Sequence, residues 1–338
     1  MQFTSTFEYI TGVENILEAW REFIRGKRGK RDVQEFSLHL MDNIFSLHTD
    51  LVNHTYCHGG YQAFNISDPK PRNIHKASVR DRLLHHVIHR TLYPTFDDIF
   101  IADSYSCRID KGTHKALERF KNFGNKASKN NTRTCWILKC DIKKFFANID
   151  HAVLLGILQK YILDQDIIWL LQKVIESFSA GKMGVGLPLG NLTSQLFVNI
   201  YMNEFDQWVK HKLKAKHYIR YADDFVFFSE DREVLKKLIP LIEEFLRVKL
   251  KLQLHPDKLF IKTLVSGVDF LGWVNFPYHK VLRTTTKRRM FKRIKEHPTP
   301  ETFASYEGLL SHGNTQKIQK EVSQFVGYSI YLASENDN

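Results

Sequence analysis

Between residues 13 and 58 apolar side chains recur every three to four positions. Ile16, Leu17 and Trp20 fall on one helical face, and Phe36, Leu40, Ile44, Leu47 and Leu51 fall on another. This period predicts amphipathic helices, interrupted by the glycine-containing stretch from Arg25 to Arg31. Asp68-Pro69-Lys70-Pro71-Arg72 predicts a turn or extended segment, because each proline disfavours helix in the residue before it. A β element with basic side chains is expected next. Val79 to Tyr93 returns to helical spacing, with Leu83, Val87 and Ile88 on one side. His85, His86 and His89 lack convergent acidic or cysteine partners in the sequence, so they are expected to face solvent or nucleic acid rather than to hold a metal. Asn122 to Thr134, rich in Asn, Lys, Ser and Gly, reads as an exposed loop.

The pattern then changes. Cys135 to Cys140 is a short apolar run of strand type, and Tyr218-Ile219 and Phe225-Val226-Phe227-Phe228 form a second pair of such runs. Between that pair, Ala222-Asp223-Asp224 predicts the tip of a β-hairpin. Asp150 suits a helix cap, and 151–178 reads as two packed helices broken near Asp164. Glu233 to Leu250 is helical, with Pro240 expected to end or kink it. From Phe276 onward the strand pattern fades and the chain becomes basic, then helical. The fold class is therefore α+β.

Composition adds a partner. The chain has 338 residues, 43% of them hydrophobic, which allows a substantial core, and its formal net charge of +12 favours a polyanion. Two clusters concentrate this charge: five basic residues in the seven from Arg25 to Arg31, and six in the nine from Lys287 to Lys295. The second carries Met290, Phe291 and Ile294 among its cations, as expected of a helix packed on one side with Lys287, Arg288, Arg289, Lys292 and Arg293 on a face aimed at a phosphate backbone. Cys57, Cys107, Cys135 and Cys140 show no zinc-ligand spacing and are expected to be reduced thiols. No apolar run has membrane-spanning length and Met1-Gln2-Phe3-Thr4 does not open a secretory signal, so a cytoplasmic protein with no membrane partner is expected.

Asp223 and Asp224 are the chemical focus. Two ionised carboxylates about 4 Å apart repel by roughly 4 kcal/mol at an effective dielectric near 20. A polar turn is one reading of the pair; a third carboxylate supplies another. Asp141 follows the strand-like Cys135–Cys140 run. If that strand lies beside the hairpin, Asp141 meets Asp223 at the sheet edge, where hard oxygen ligands suit Mg²⁺.

With these residues the chain resembles the reverse transcriptases. The resemblance runs in order from about residue 68 to about 275. It passes through Arg80-Asp81-Arg82, the segment Ser104 to His114, the Asp141 block, and Gly186-Leu187-Pro188-Leu189-Gly190-Asn191-Leu192-Thr193-Ser194-Gln195. It continues through Tyr221-Ala222-Asp223-Asp224, Leu254-His255-Pro256-Asp257-Lys258 and Phe270-Leu271-Gly272-Trp273. It implies a right-hand polymerase: an N-terminal helical cap and fingers over 1–134, a palm with an antiparallel sheet over 135–275 that carries a helical insertion at about 151–185, and a basic helical thumb over 276–338. It implies RNA-directed DNA synthesis with two Mg²⁺ ions, or Mn²⁺ in their place, held by Asp141, Asp223, Asp224 and the backbone carbonyl of Ile142. Arg108 and Lys111 would hold the triphosphate of the incoming dNTP. Phe146, or Phe145 with the roles reversed, would exclude a 2′-hydroxyl. Lys258 would stand as proton donor to pyrophosphate or as a surface lysine. Template RNA and the RNA/cDNA duplex are the implied partners.

The stretch around Gly190 departs from the commonest family pattern. Leu189 replaces a glutamine and Gln195 a proline, a combination that resembles the reverse transcriptases of diversity-generating retroelements. Such enzymes copy a template RNA with errors at adenines and work with a small basic accessory protein. A defence-associated or retron-like enzyme copying a noncoding RNA is the alternative, and a nonenzymatic RNA-binding relative is a third.

Overall fold

The structure, a computed structural model, describes residues 2–66 and 71–324. The chain opens with α1 (Phe7–Thr11), α2 (Val13–Phe23), α3 (Arg31–Leu38) and α4 (Leu40–Val52), then forms β1 (Tyr61–Ile66) and β2 (Arg72–Ala77), followed by α5 (Val79–Ile99) and α6 (Thr113–Ala127). Next come β3 (Trp136–Asp141), a 3-10 turn at Phe145–Asn148, α7 (His151–Gln159), α8 (Gln165–Glu176) and α9 (Leu192–His211). β4 (Tyr218–Tyr221) and β5 (Asp224–Ser229) lead into α10 (Arg232–Leu250). The remainder is β6 (Phe260–Thr263), β7 (Val268–Phe270), β8 (Trp273–Asn275), β9 (Lys280–Leu282), α11 (Thr284–Glu296) and α12 (Pro300–Leu310). Of the expected proline turn, Asp68-Pro69-Lys70 lies outside the described residues, as does 325–338 of the expected thumb.

Two compact units divide the chain. The first comprises Met1–Ile109, Asp141–Lys216 and Pro240–Asp257. Its centre is α5, which packs against α2 and α9 through fully buried Leu83, Leu84, Val87, Leu92 and Phe96. Ser78 caps the helix by accepting from Asp81 N–H. The helix runs through Pro94 to Ile99, beyond the end expected at Tyr93, because burial of Phe96 offsets the one hydrogen bond a proline removes. Asp150 and Asp164 cap α7 and α8 as expected.

One expectation for α5 is overturned. His85 is buried, 2% exposed, with Nε2 3.2 Å from His58 Nε2. Burial, with His58 beside it, lowers its pKa to about 3. His86 and His89 are half-buried, so none of the three is a free surface histidine.

The second unit comprises Asp110–Cys140, His217–Ile239 and Lys258–Asn338. Its larger sheet has the order β4-β5-β3-β6 and a smaller one the order β7-β8-β9. α6 packs on β4 and β5, with Phe120 and Phe123 meeting Phe228. The loop expected over Asn122 to Thr134 is accordingly shortened by this helix. Ala116, Leu117, Phe120, Phe123 and Ala127 form a buried stripe, while Asn122 and Lys126 take the solvent side. β9 is a further correction, since only Leu282 of its three residues is buried and no alternation announces it. α10 continues through Pro240 rather than ending there.

Candidate active site

The β4–β5 hairpin closes with Tyr221 paired to Asp224, leaving Ala222 and Asp223 as a two-residue loop. Buried Tyr218, Phe225 and Phe227 anchor its strands. Ala222 has φ of 54°, a left-handed conformation that a residue with a Cβ adopts only where its surroundings enforce it. The enforcing group is Arg220, fully buried, whose Nη1 donates to the Ala222 carbonyl at 3.1 Å. Thr113 Oγ1 donates to the Tyr221 hydroxyl at 3.2 Å, tying the hairpin to the start of α6.

β3 is the hydrogen-bonded neighbour of β5, and its last residue is Asp141, 7% exposed. Two residues earlier, Lys139 places its ammonium 3.0 Å from Asp224 Oδ1. Asp224 thus has a cation against it. Among the described residues no three His, Cys, Asp or Glu side chains converge at metal-ligand spacing. The adjacent carboxylates of Asp223 and Asp224 remain hard donors of the kind Mg²⁺ uses, since that ion needs one or two carboxylates and completes its shell with water and phosphate.

Past β3, the backbone carbonyl of Asp141 accepts from the backbone N–H of His255 at 2.8 Å and the buried Ile142 bridges to Leu254. Phe145 is 3% exposed and Phe146 half-buried, with ring centroids 5.7 Å apart. Phe145 therefore packs while part of the Phe146 ring stays accessible. The Phe146 carbonyl accepts from Leu187 N–H at 2.8 Å and that of Ile149 from Gly186 N–H at 2.7 Å, so this segment runs alongside the glycine loop.

The glycine loop is in turn stitched to β2. His75 N–H donates to the Leu189 carbonyl at 3.0 Å, and Asn191 Nδ2 donates to the His75 carbonyl at 3.0 Å. Gly190 has φ of +103°, and a Cβ there would stand 2.7 Å from Ile74 Cγ2. Leu189 and Gln195 are both half-buried. Beside the loop is a cavity of about 260 Å³ lined by Lys27, Ile74, Lys76, Arg82, Gly190 and Asn191 among others. Asp32 of α3 reaches two of its cations, with Oδ2 2.6 Å from Lys76 Nζ and 2.5 Å from Arg82 Nη2. Burial, then the positive charge of Arg82, lowers the Lys27 pKa. Lys76 and Arg82 line this cavity although the sequence does not single them out as site residues. Their signal was present in the basic strand after Pro71 and in Arg80-Asp81-Arg82, but only the fold brings them to Gly190.

Arg108 is tied into the turn that follows α5. Its guanidinium donates to Asp97 Oδ1 at 2.6 Å and to the carbonyls of Asp97, Ile101 and Ser104, with its side chain 6% exposed. These bonds hold the turn after α5. Lys111 is half-buried and Lys258 is exposed in a 3-10 turn. On α11, Met290 and Ile294 are buried as expected. Arg288 and Arg293 are exposed and Arg289 is half-buried, while Lys287 pairs with Glu321 at 3.2 Å and Lys292 with Glu296 at 3.6 Å. No helix among the described residues is long and apolar enough to cross a membrane.

The family model described as reverse transcriptase (RNA-dependent DNA polymerase) matches residues 67–274. Protein YkfC of Escherichia coli K12 is 26% identical over 290 residues, covering 72% of this chain and 72% of its own. The group II intron-encoded protein LtrA of Lactococcus lactis is 24% identical over 264 residues, covering 57% of this chain, which spans only 42% of LtrA. Among solved structures, telomerase from Candida albicans in complex with a fragment of telomeric RNA superposes with a TM-score of 0.51 at 11% identity, covering 80% of this chain and 55% of the telomerase chain. That likeness concerns the fold and is consistent with a right-hand polymerase. The ordered motifs, the sheet that carries their aspartates and a family match over well over half of the residues lead to one assignment: the chain belongs to the reverse transcriptase family.

Proposed function

We propose that the chain extends a DNA primer on an RNA template, with Asp141, Asp223 and Asp224 as its catalytic carboxylates. The observation that carries this is the sheet order: β3 ends in Asp141, β5 begins at Asp224, and the two strands are neighbours. Two Mg²⁺ ions, or Mn²⁺, bound by these carboxylates and the Ile142 carbonyl would lower the charge on the attacking 3′-oxygen and the leaving oxygen of an in-line displacement. In that displacement the 3′-oxygen forms a bond to the α-phosphorus of a dNTP, the bond from that phosphorus to the pyrophosphate oxygen breaks, and the 3′-hydroxyl proton passes to solvent water. Arg220 and the Ala222 turn fix the direction of the Asp223 carboxylate. Lys76 and Arg82, with Lys27, supply a fork and point charges for a triphosphate. By the family resemblance, Lys111 is a further cation for the triphosphate, Lys258 a proton donor to pyrophosphate, and Phe146 selects against a 2′-hydroxyl. Arg288, Arg289 and Arg293 of α11 contact duplex backbone, joined by Lys287 and Lys292 where their surface pairs open. Residues 1–134, 135–275 and 276–338 serve as cap and fingers, palm, and thumb.

The test is primer extension on an RNA template with Asp223→Asn. Loss of incorporation with RNA binding retained supports the assignment. Retained incorporation overturns it, and so does a wild-type protein that binds RNA but never extends.

Within this activity, Leu189 and Gln195 support the reading of an adenine-mutagenic enzyme of a diversity-generating retroelement, aided by a small basic accessory protein. Leu189 holds its place by its backbone carbonyl, bonded to His75, so its side chain presents only apolar surface where glutamine would present an amide. Sequencing the RNA and cDNA that copurify with the protein tests this: changes concentrated at template adenines, reduced in Leu189→Gln, are expected. A faithful or repeated copy of a noncoding RNA would replace this reading with the defence-associated or retron-like one.

A further inference from the structure

We propose that the second unit carries a separate nucleotide-binding pocket that takes a base and its phosphate from an RNA strand, in a cavity of about 400 Å³ lined by residues of α6, the β8–β9 turn and the turn after α12. The volume lies in the range of about 300–1,000 Å³ typical of small-molecule sites.

The lining is cationic and aromatic. Lys121 and His114 come from α6, Phe276, Tyr278 and Lys280 from the β8–β9 turn region, and His312 from the turn after α12. Glu118 is its one acidic lining residue. Among the described residues neither Lys121 nor Lys280 has a carboxylate partner. Lys280 Nζ instead lies 5.1 Å from the centroid of the Trp273 ring, and burial, then the charge of Lys121, lowers its pKa. Two ammonium groups that repel each other beside a cavity are relieved by an anion placed between them.

The aromatic groups supply the other half. Phe276 and His279 stack at 4.7 Å and 9°, braced by Phe276 N–H donating to the His279 carbonyl at 2.8 Å. His114 and His312 lie 3.7 Å apart at 32°. Tyr278 is 78% exposed, a large ring held in water next to this platform. The turn carrying His312 is fixed: Asn314 N–H donates to the Lys280 carbonyl at 2.9 Å, and at Gly313 a Cβ would stand 2.1 Å from the Trp273 ring. Exposed aromatic faces beside unpaired lysines are the combination that single-stranded nucleic acid uses, with bases stacking and phosphates meeting cations. The apolar part of the lining suits a base as well as it suits a peptide side chain, and the two lysines beside it favour a ligand that also carries a phosphate.

The experiment uses the full chain and a short thiouridine-substituted oligoribonucleotide, photocrosslinked and mapped by mass spectrometry. Crosslinks are expected in 276–280 or at His312, falling about tenfold in Lys121→Glu/Lys280→Glu and severalfold in Tyr278→Ala, a substitution at an exposed side chain that leaves the core intact. Absence of crosslinks in these segments, or crosslinks unchanged in both variants, overturns the proposal. Competition separates the sources of the ligand: displacement by AMP identifies a free-nucleotide pocket, and displacement only by unlabelled oligoribonucleotide identifies a strand. Primer extension by the same preparations is read separately. A wild-type chain that extends but gives no crosslinks in these segments strikes this proposal alone, and a wild-type chain that crosslinks there but never extends strikes the polymerase reading alone.

Discussion

Lys139 Nζ lies 3.0 Å from Asp224 Oδ1, with the lysine side chain 10% exposed and the aspartate 24%. Removing one partner of a nearly buried ion pair leaves an uncompensated charge, which in a fully buried site costs about 3–5 kcal/mol; the partial exposure of Asp224 reduces this to the order of 1–3 kcal/mol. Lys139→Met is expected to lower the melting temperature in metal-free buffer, and Mg²⁺ is expected to raise it more than it raises that of the wild type, because the ion then takes the place of the ammonium. Equal Mg²⁺ shifts in both proteins would count against Asp224 as a metal ligand.

The Ala222 turn predicts a gain. At φ of 54° a glycine carries no Cβ penalty, so Ala222→Gly is expected to stabilise the fold by up to about 1 kcal/mol. Its backbone is also freer, so the direction of Asp223 relaxes and incorporation slows. Denaturant midpoints together with the single-turnover rate check both signs; a destabilised variant with an unchanged rate would contradict the account.

Asp32 competes for the cations of the first unit. Its single carboxylate engages both Lys76 and Arg82, groups a triphosphate would need. Asp32→Asn should therefore lower the KM for dNTP, while Lys76→Ala and Arg82→Ala should raise it by about tenfold, equivalent to about 1.4 kcal/mol. The primer–template Kd serves as the control. A raised KM in Asp32→Asn would instead make the aspartate an organiser of the two cations.

His85 makes stability depend on pH. Burial, then the neighbouring His58, holds its pKa at about 3, below the ordinary 6.5. The unfolded chain takes up this proton near 6.5 and the folded chain does not, so the stability from keeping His85 neutral is full above 6.5 and declines as pH falls toward 3. The slope is at most about 1.4 kcal/mol per pH unit. His86 and His89, each lowered to about 4 by burial first, add to the same window. Urea midpoints at neutral and mildly acidic pH should diverge in the wild type and converge partly in His85→Gln; an unchanged difference would show that His85 is not among the groups responsible.

What the sequence determined by itself is what neighbours in the chain decide. Alternation and a two-residue turn set the Tyr221–Asp224 hairpin, aspartates set the starts of α7 and α8, and helical spacing set α4 and the packed side of α11. Each follows from backbone sterics, side-chain period or a capping bond within a few residues. The end of α6 is not legible because Asn and Lys on its solvent side mask a buried stripe, and β9 is not because three residues carry no readable period. The tertiary structure decided everything that depends on distant partners. Arg108 and Lys76 look alike as basic residues in a basic protein, yet Asp97 and three carbonyls consume the first, while the fold turns the second toward Gly190. Asp32 meets Arg82 across 50 residues, His85 enters the core, and Lys139 faces Asp224. Charge and burial are properties of the assembled surroundings, and no local pattern carries them.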